Sequence, residues 1–327
     1  MASPIADLTY RNYDGVLTDT RFRWWVIAKT QIMLALKKKA VWWYAIMSGG
    51  YYGLMIAILF FIDQLAASTP PGRPNPMSQF LGRIIWKDQF IHGFSFGQMW
   101  FLAISLIIGA GAIANDNRAN ALLVYLSKPC DKKDYLFGKW FGTFLPLFVV
   151  SAVPSLFFYF YGAMSYREAG FLSGDPWILP KLLLVLLIGS IFQSSLVIGF
   201  SSMFNQGRMA GAVYAGLYFL TNFFTQLMLA AWMGVTDGGR NLNGEGNTPK
   251  AVIDTVTGLF YGSIDGLNIG MAKAIFGSNG SPYLGIPSPI KSVPAPSLLM
   301  TLGPILLISA LMMYIAWRRI RPVEIVG

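Results

Sequence analysis

Residues 178–204 read ILPKLLLVLLIGSIFQSSLVIGFSSMF, a run whose only charge is Lys181 near its start. At helical rise, roughly 20 apolar residues cross a hydrocarbon core of ~30 Å, so this run spans with length to spare. Alternating polarity is absent and the run is about twice as long as a barrel strand, which leaves a transmembrane helix. Lys181 sits where a long side chain can snorkel to the interface.

Five further blocks are long enough to span: about 40–62, 93–114, 140–163, 209–233 and 297–317. Composition agrees, since 54% of residues are apolar and 12% charged, about half the charge of a soluble domain. The expectation is an all-α integral membrane protein with six transmembrane helices filling residues 40–317. An N-terminal segment (1–39) and a short C-terminus (318–327) flank it.

Lys and Arg concentrate on one side of these spans. That side holds Arg11, Arg21, Arg23, Lys29 and Lys37 to Lys39, then Arg118, Lys128, Lys132, Lys133 and Lys139, then Arg208, Arg318, Arg319 and Arg321. The positive-inside rule therefore puts both termini and the second loop in the cytoplasm. The net charge of +10 reads as topology with some anionic-lipid contact, and nucleic acid is not an expected partner. Asp7, Arg11, Asp14 and Asp19 leave no apolar core for a cleavable signal, so the first span is expected to direct insertion. One cysteine, Cys130, and one histidine, His92, exclude an internal disulfide, a cysteine metal cluster and a bis-histidine haem.

Residues 19–39 predict a helix capped by Asp19 or Thr20, with Phe22, Trp25, Val26, Met33 and Leu36 on one broad face. Arg21, Arg23 and Lys29 lie near or off that face, as in a helix lying in the interface. The alternative is a cytoplasmic extension of the first span, where Trp42, Trp43 and Tyr44 form an aromatic anchor. The first external loop, near 63–92, carries Pro70, Pro71, Pro74 and Pro76 and reads as a lid or tether. Pro146 and Pro154 favour kinks in the third span.

Polar, uncharged residues occur inside the fourth and fifth spans, among them Gln193, Ser194, Asn222 and Gln226. Two readings stay open for these four: hydrogen bonding between helices, or a substrate path. Span centres lack ionisable residues, which argues against a proton relay or a cation-coupled carrier. Residues 234–296 hold two short amphipathic helices, the first opening at Thr248-Pro249, the second carrying Ile264, Leu267, Met271 and Ile275. Each is too short to span, which predicts a re-entrant or interfacial hairpin before the last span. Gly-x-x-x-Gly spacings, including Gly138/Gly142, are no more frequent than chance gives with 34 glycines.

Between the second and third spans lies Asn115-Asp116-Asn117-Arg118-Ala119-Asn120-Ala121-Leu122-Leu123-Val124-Tyr125-Leu126-Ser127-Lys128-Pro129. Asp116 or Asn117 can cap a helix over 116–127 whose Ala119, Leu122, Leu123 and Leu126 fit the i, i+3, i+4, i+7 template, and Pro129 ends it. This is an amphipathic helix on the cytoplasmic face. Asn115-Asp116, the Leu122-to-Pro129 run and Asp134-Tyr135-Leu136-Phe137-Gly138-Lys139 together resemble the acidic residue, "LLS-x-P" and "Y-L-x-G-K" pattern of the ABC transporter type-2 permeases. The Arg21-to-Lys29 helix and the six-span layout are similar too. Asp116 stands where that family often has Glu, and Cys130 follows the proline.

The resemblance implies a coupling helix gripped by a separate ATP-binding subunit, with Asp116, Arg118, Leu122, Leu123, Leu126 and Pro129 as contacts. It implies an interface element beside it, built on Arg21, Arg23, Trp25 and Lys29, and a second permease copy or paralogue as partner. ATP and Mg are then expected on the partner subunit, with no cofactor on this chain. No Gly-x-x-x-x-Gly-Lys-Ser/Thr loop occurs here. The expected function is the permease subunit of an ATP-driven exporter in the bacterial inner membrane. The competing classes are a non-transporting membrane scaffold and a membrane enzyme; the latter would want carboxylate pairs, His clusters or an activated nucleophile, which the spans lack.

Overall fold

The computed structural model describes residues 22–68, 84–121, 131–167, 170–237, 250–280 and 292–320. Among these residues every regular element is a helix, and six helices are long and apolar enough to cross a membrane. The chain is a multi-pass, all-α membrane protein. The Pro-rich lid region at 69–83 lies outside the described residues.

α1 (Arg23–Leu36) is followed by α2 (Lys39–Ser48) and α3 (Gly50–Ala67), of which α3 is long and apolar enough to cross a membrane. The expected 40–62 block is thus shared between α2 and α3, and Gly49 separates them where a Cβ would meet Pro154 at 2.9 Å. α4 (Trp86–Gly109) begins seven residues before the expected 93, and α5 (Ala114–Arg118) extends the second span past 114. α6 (Lys132–Ser165) carries Pro146 and Pro154 within one uninterrupted helix, so the expected proline kinks do not divide it. Neighbouring helices can re-satisfy the carbonyls that a proline frees. α7 (Ile178–Met203), α8 (Gly207–Asp237) and α11 (Leu298–Arg319) lie close to the remaining blocks.

α7 is the central post. Of its apolar window 72% is buried, against 17% for α8 and 17% for α11, because it packs on α4, α6, α8 and α11 at once. A helix apolar all round can take that place. Large apolar side chains on α8 such as Leu220 and Phe223 instead point outward, 67% and 63% exposed.

α1 packs along α6. Its buried line is Ala28, Gln31 and Ala35, while Phe22, Trp25, Val26, Met33 and Leu36 are exposed. The predicted apolar face thus looks away from the protein, as an interface helix requires, and small residues set the close approach to α6. Gly138 and Gly142 are the other half of that seam. A Cβ at 142 would stand 2.8 Å from the Gln31 Cβ and 3.0 Å from the Ala28 carbonyl. Gly142→Leu is therefore expected to cost about 2 kcal/mol through overpacking and to lift α1 off α6. Increased protease cleavage within residues 22–38 of the purified protein, with the spans intact, is the check.

α9 (Lys250–Phe260) and α10 (Ile264–Phe276) are the two short helices of the region where a hairpin is expected, α9 packing on α8 and α10 on α4, α7, α8 and α11. Ser263 caps α10 by accepting from the Gly266 N–H, and Gly277 ends it in the left-handed region at φ 62°. At its outer end Lys87 donates to the Gly277 carbonyl at 3.2 Å, and Ser278 bonds Asp88. At its tip Asp265 meets Tyr218 and Asn222, near the middle of α8, and Asn268 meets Gln98, near the middle of α4. The hairpin therefore enters the bundle rather than lying on its rim.

Candidate coupling site

The second span breaks between Gly109 and Ala114, and a break strands backbone groups that a straight helix would pair. Side chains from other segments meet five of them. Lys38 Nζ donates to the Ile107 carbonyl at 2.7 Å, and Gln31 Nε2 to the Ile108 carbonyl at 3.3 Å. Ser201 of α7 donates to the Ala110 carbonyl at 2.8 Å and accepts from the N–H groups of Ile113 and Ala114 at 3.0 and 3.1 Å. One hydroxyl, itself fully buried, thus completes both sides of the break.

α5 is held from two further directions. Asn115 Oδ1 accepts from the Gly207 N–H at 3.2 Å, and a Cβ on Gly207 would lie 2.8 Å from the Gly111 Cα, so α8 starts against bare backbone. Asp116 accepts from the Tyr135 hydroxyl at 2.7 Å and pairs with Lys139 Nζ at 2.8 Å. The Lys139 ammonium also lies 5.6 Å from the Tyr135 ring centre. Asp116 is therefore engaged by α6 and is not the helix cap expected of it. α5 ends at Arg118, Asn120 turns the chain at φ 51°, and helix resumes at Ala121. The 116–127 segment begins as the last turn of the second span, then a turn.

A half-open cavity of about 910 Å³ lies beside this hub. Gln31, Lys38, Asn115, Arg118, Lys139 and Arg208 are among its polar lining residues, with Asp116 the one acid. Arg118 is exposed at its edge; Leu122, Leu123, Leu126 and Pro129 lie outside the described residues. In α1 Trp25 and Lys29 are exposed and Arg23 is half-buried, while Arg21 lies outside the described residues. Trp24 ties the helix down through edge contacts with Phe137 and Phe141, centroids 4.9 and 5.4 Å away.

The four polar span residues divide. Gln193 is buried, its Nε2 donating to Ser105 at 3.4 Å, and Asn222 donates to Asp265 at 2.9 Å. Ser194 is buried and bonds its own helix at the Ile191 carbonyl, whereas Gln226 is exposed on α8. Sequence reading missed Ser201, Gln31 and Lys38 as hub residues. The available signal was the Ser201-Ser202 pair closing an apolar span, without any mark of which backbone it would meet. Among the described residues no group of three or more His, Cys, Asp or Glu could hold a metal.

Among curated proteins none matches this chain. A family model described as ABC-2 family transporter protein matches residues 4–313, nearly the whole length. A six-span helical bundle, matched end to end by that model, belongs to the ABC-2 family of transporter membrane proteins.

Proposed function

We propose that the chain is the permease subunit of an ATP-driven exporter, gripped by a separate ATP-binding subunit through residues 116–127. Membership of the ABC-2 family, over residues 4–313, carries this reading. The hub around Asp116 supports it physically. A force applied beyond Arg118 reaches α6 through Asp116, α7 through Ser201, α8 through Asn115 and α1 through Lys38 and Gln31. Closure of two ATP-binding subunits would move the 116–127 segment and rock the bundle halves as rigid bodies. Both termini then lie in the cytoplasm, on the basic side of the inner membrane. ATP and Mg reside on the partner subunit, and this chain carries no catalytic residue of its own.

A second permease copy or a paralogue completes the cargo path. The outward apolar face of α8 and the exposure of Gln226 support a path along that seam. The burial of Gln193 and Ser194 supports a packing role for those two.

Co-purification tests the reading: a P-loop ATPase should accompany the solubilised chain and hydrolyse ATP with it. A chain that never associates with such an ATPase ends the permease reading. Leu122→Asp or Leu126→Asp should lower transport per ATP about tenfold, the effect of some 1.4 kcal/mol lost from a small interface, with membrane insertion unchanged. Unchanged transport in both variants removes the coupling role from this segment.

A further inference from the structure

The hairpin brings to the middle of the bundle a carboxylate that none of the spans supplies. Asp265 Oδ2 accepts from the Tyr218 hydroxyl at 2.6 Å and the Asn222 amide at 2.9 Å. Its Oδ1 is buried, and no described group bonds it. Among the described residues no cation pairs with it. Lys273, two turns further along α10, is turned to the Val293 carbonyl at 2.9 Å and to Tyr261.

The surroundings are polar. Asn268, one turn on, gives its amide to Gln98 and keeps a bare Oδ1; Gln193 gives its amide to Ser105 and keeps a bare Oε1. Tyr214, which neighbours Ser105 and Asp265, and Ser190 each hold a buried hydroxyl. These groups come from α4, α7, α8 and α10 and are at most 2% exposed. An ionised carboxylate here is half-buried, and among the described residues it has no counter-charge, which disfavours the charged form. A proton removes that cost and turns the carboxyl into a donor.

We propose that Asp265 is a proton-binding site within the bundle, and that its protonation sets how firmly the hairpin grips α8. The titratable groups facing it are Tyr214 and Tyr218 of α8. Lys87, Asp88 and His92 of α4 and Lys181 of α7 lie toward the opposite ends of their helices, and between Leu298 and Trp317 α11 has no Asp, Glu, Lys, Arg or His. Burial pushes the Asp265 carboxyl from 3.8 up to about 6, opposed by the bonds from Tyr218 and Asn222. For a carboxyl raised on folding, the stabilising contribution is complete below 3.8 and is lost as pH rises through about 6. The hairpin should therefore loosen across that interval.

The test uses the full chain in lipid nanodiscs, without nucleotide or an ATPase, so its outcome is independent of the permease reading. Infrared difference spectra should show a buried neutral-carboxyl band that disappears with a midpoint well above 3.8 and is missing in Asp265→Asn. Tyr218→Phe, which deletes a bond favouring the charged form, should move that midpoint up. Amide exchange in α10, corrected for its intrinsic pH dependence, should rise over the same interval in the parent chain and stay flat in Asp265→Asn. A band that titrates in the ordinary carboxylate range, one that survives Asp265→Asn, or one that appears only when sodium and potassium are withdrawn, overturns the proposal; the last would make an alkali cation the occupant.

Discussion

Ser201→Ala is expected to destabilise the bundle by about 4 kcal/mol, although it removes a single heavy atom. The hydroxyl donates to the Ala110 carbonyl and accepts from two N–H groups, and the site is fully buried. Alanine leaves one acceptor and two donors unpaired at a fully buried site, each at about 1–3 kcal/mol. Helix relaxation recovers part of that, since polar contacts in membranes are worth less singly than burial suggests. Equilibrium unfolding in mixed detergent measures the loss, with Ser202→Ala as comparison. Ser202 bonds only its own helix, at the Gly199 carbonyl, and its replacement should cost about 1 kcal/mol. Equal losses in the two variants would show that the hydroxyl of α7 does not hold the break in the second span.

Asp116→Ala should cost about 3 kcal/mol, because it takes its carboxylate partner from the largely buried Lys139 ammonium, which keeps the Tyr135 ring beside it. The double variant Asp116→Ala/Lys139→Met removes both charges and should return to within about 1 kcal/mol of the parent chain. Stability and coupling then separate. If Asp116 transmits motion to α6, the double variant folds normally yet hydrolyses ATP with its partner without proportionate transport. A double variant no more stable than Asp116→Ala would show that the loss comes from the missing Tyr135 hydrogen bond instead.

Much of the architecture was legible because the bilayer imposes a length. The apolar runs at 178–204 and 297–317 match α7 and α11 to within a few residues, since hydrocarbon thickness and helical rise leave little choice. Ends were less legible where polar residues continue a helix. α4 starts at Trp86 with Lys87 and Asp88 in its first turn, and both find partners on the hairpin, a tertiary fact. Asp116 looked like a cap because Asp often is one; a tyrosine and a lysine on α6 claim it first. The Gly138/Gly142 spacing carried no weight statistically, and only the seated α1 gives it a use.

The order of apolar blocks and the placement of basic residues were enough, by themselves, to yield a six-span helical membrane protein and its expected orientation. These are properties of a chain meeting a bilayer, summed residue by residue. Which backbone groups Ser201, Gln31 and Lys38 complete, and that Asp265 stands at mid-bundle although no span centre is charged, follow from how helices distant in sequence meet. The spans lack charge because a charge facing lipid is costly. The hairpin can carry one inward because α4, α7 and α8 surround it with polar groups, an arrangement that exists only once the bundle has closed.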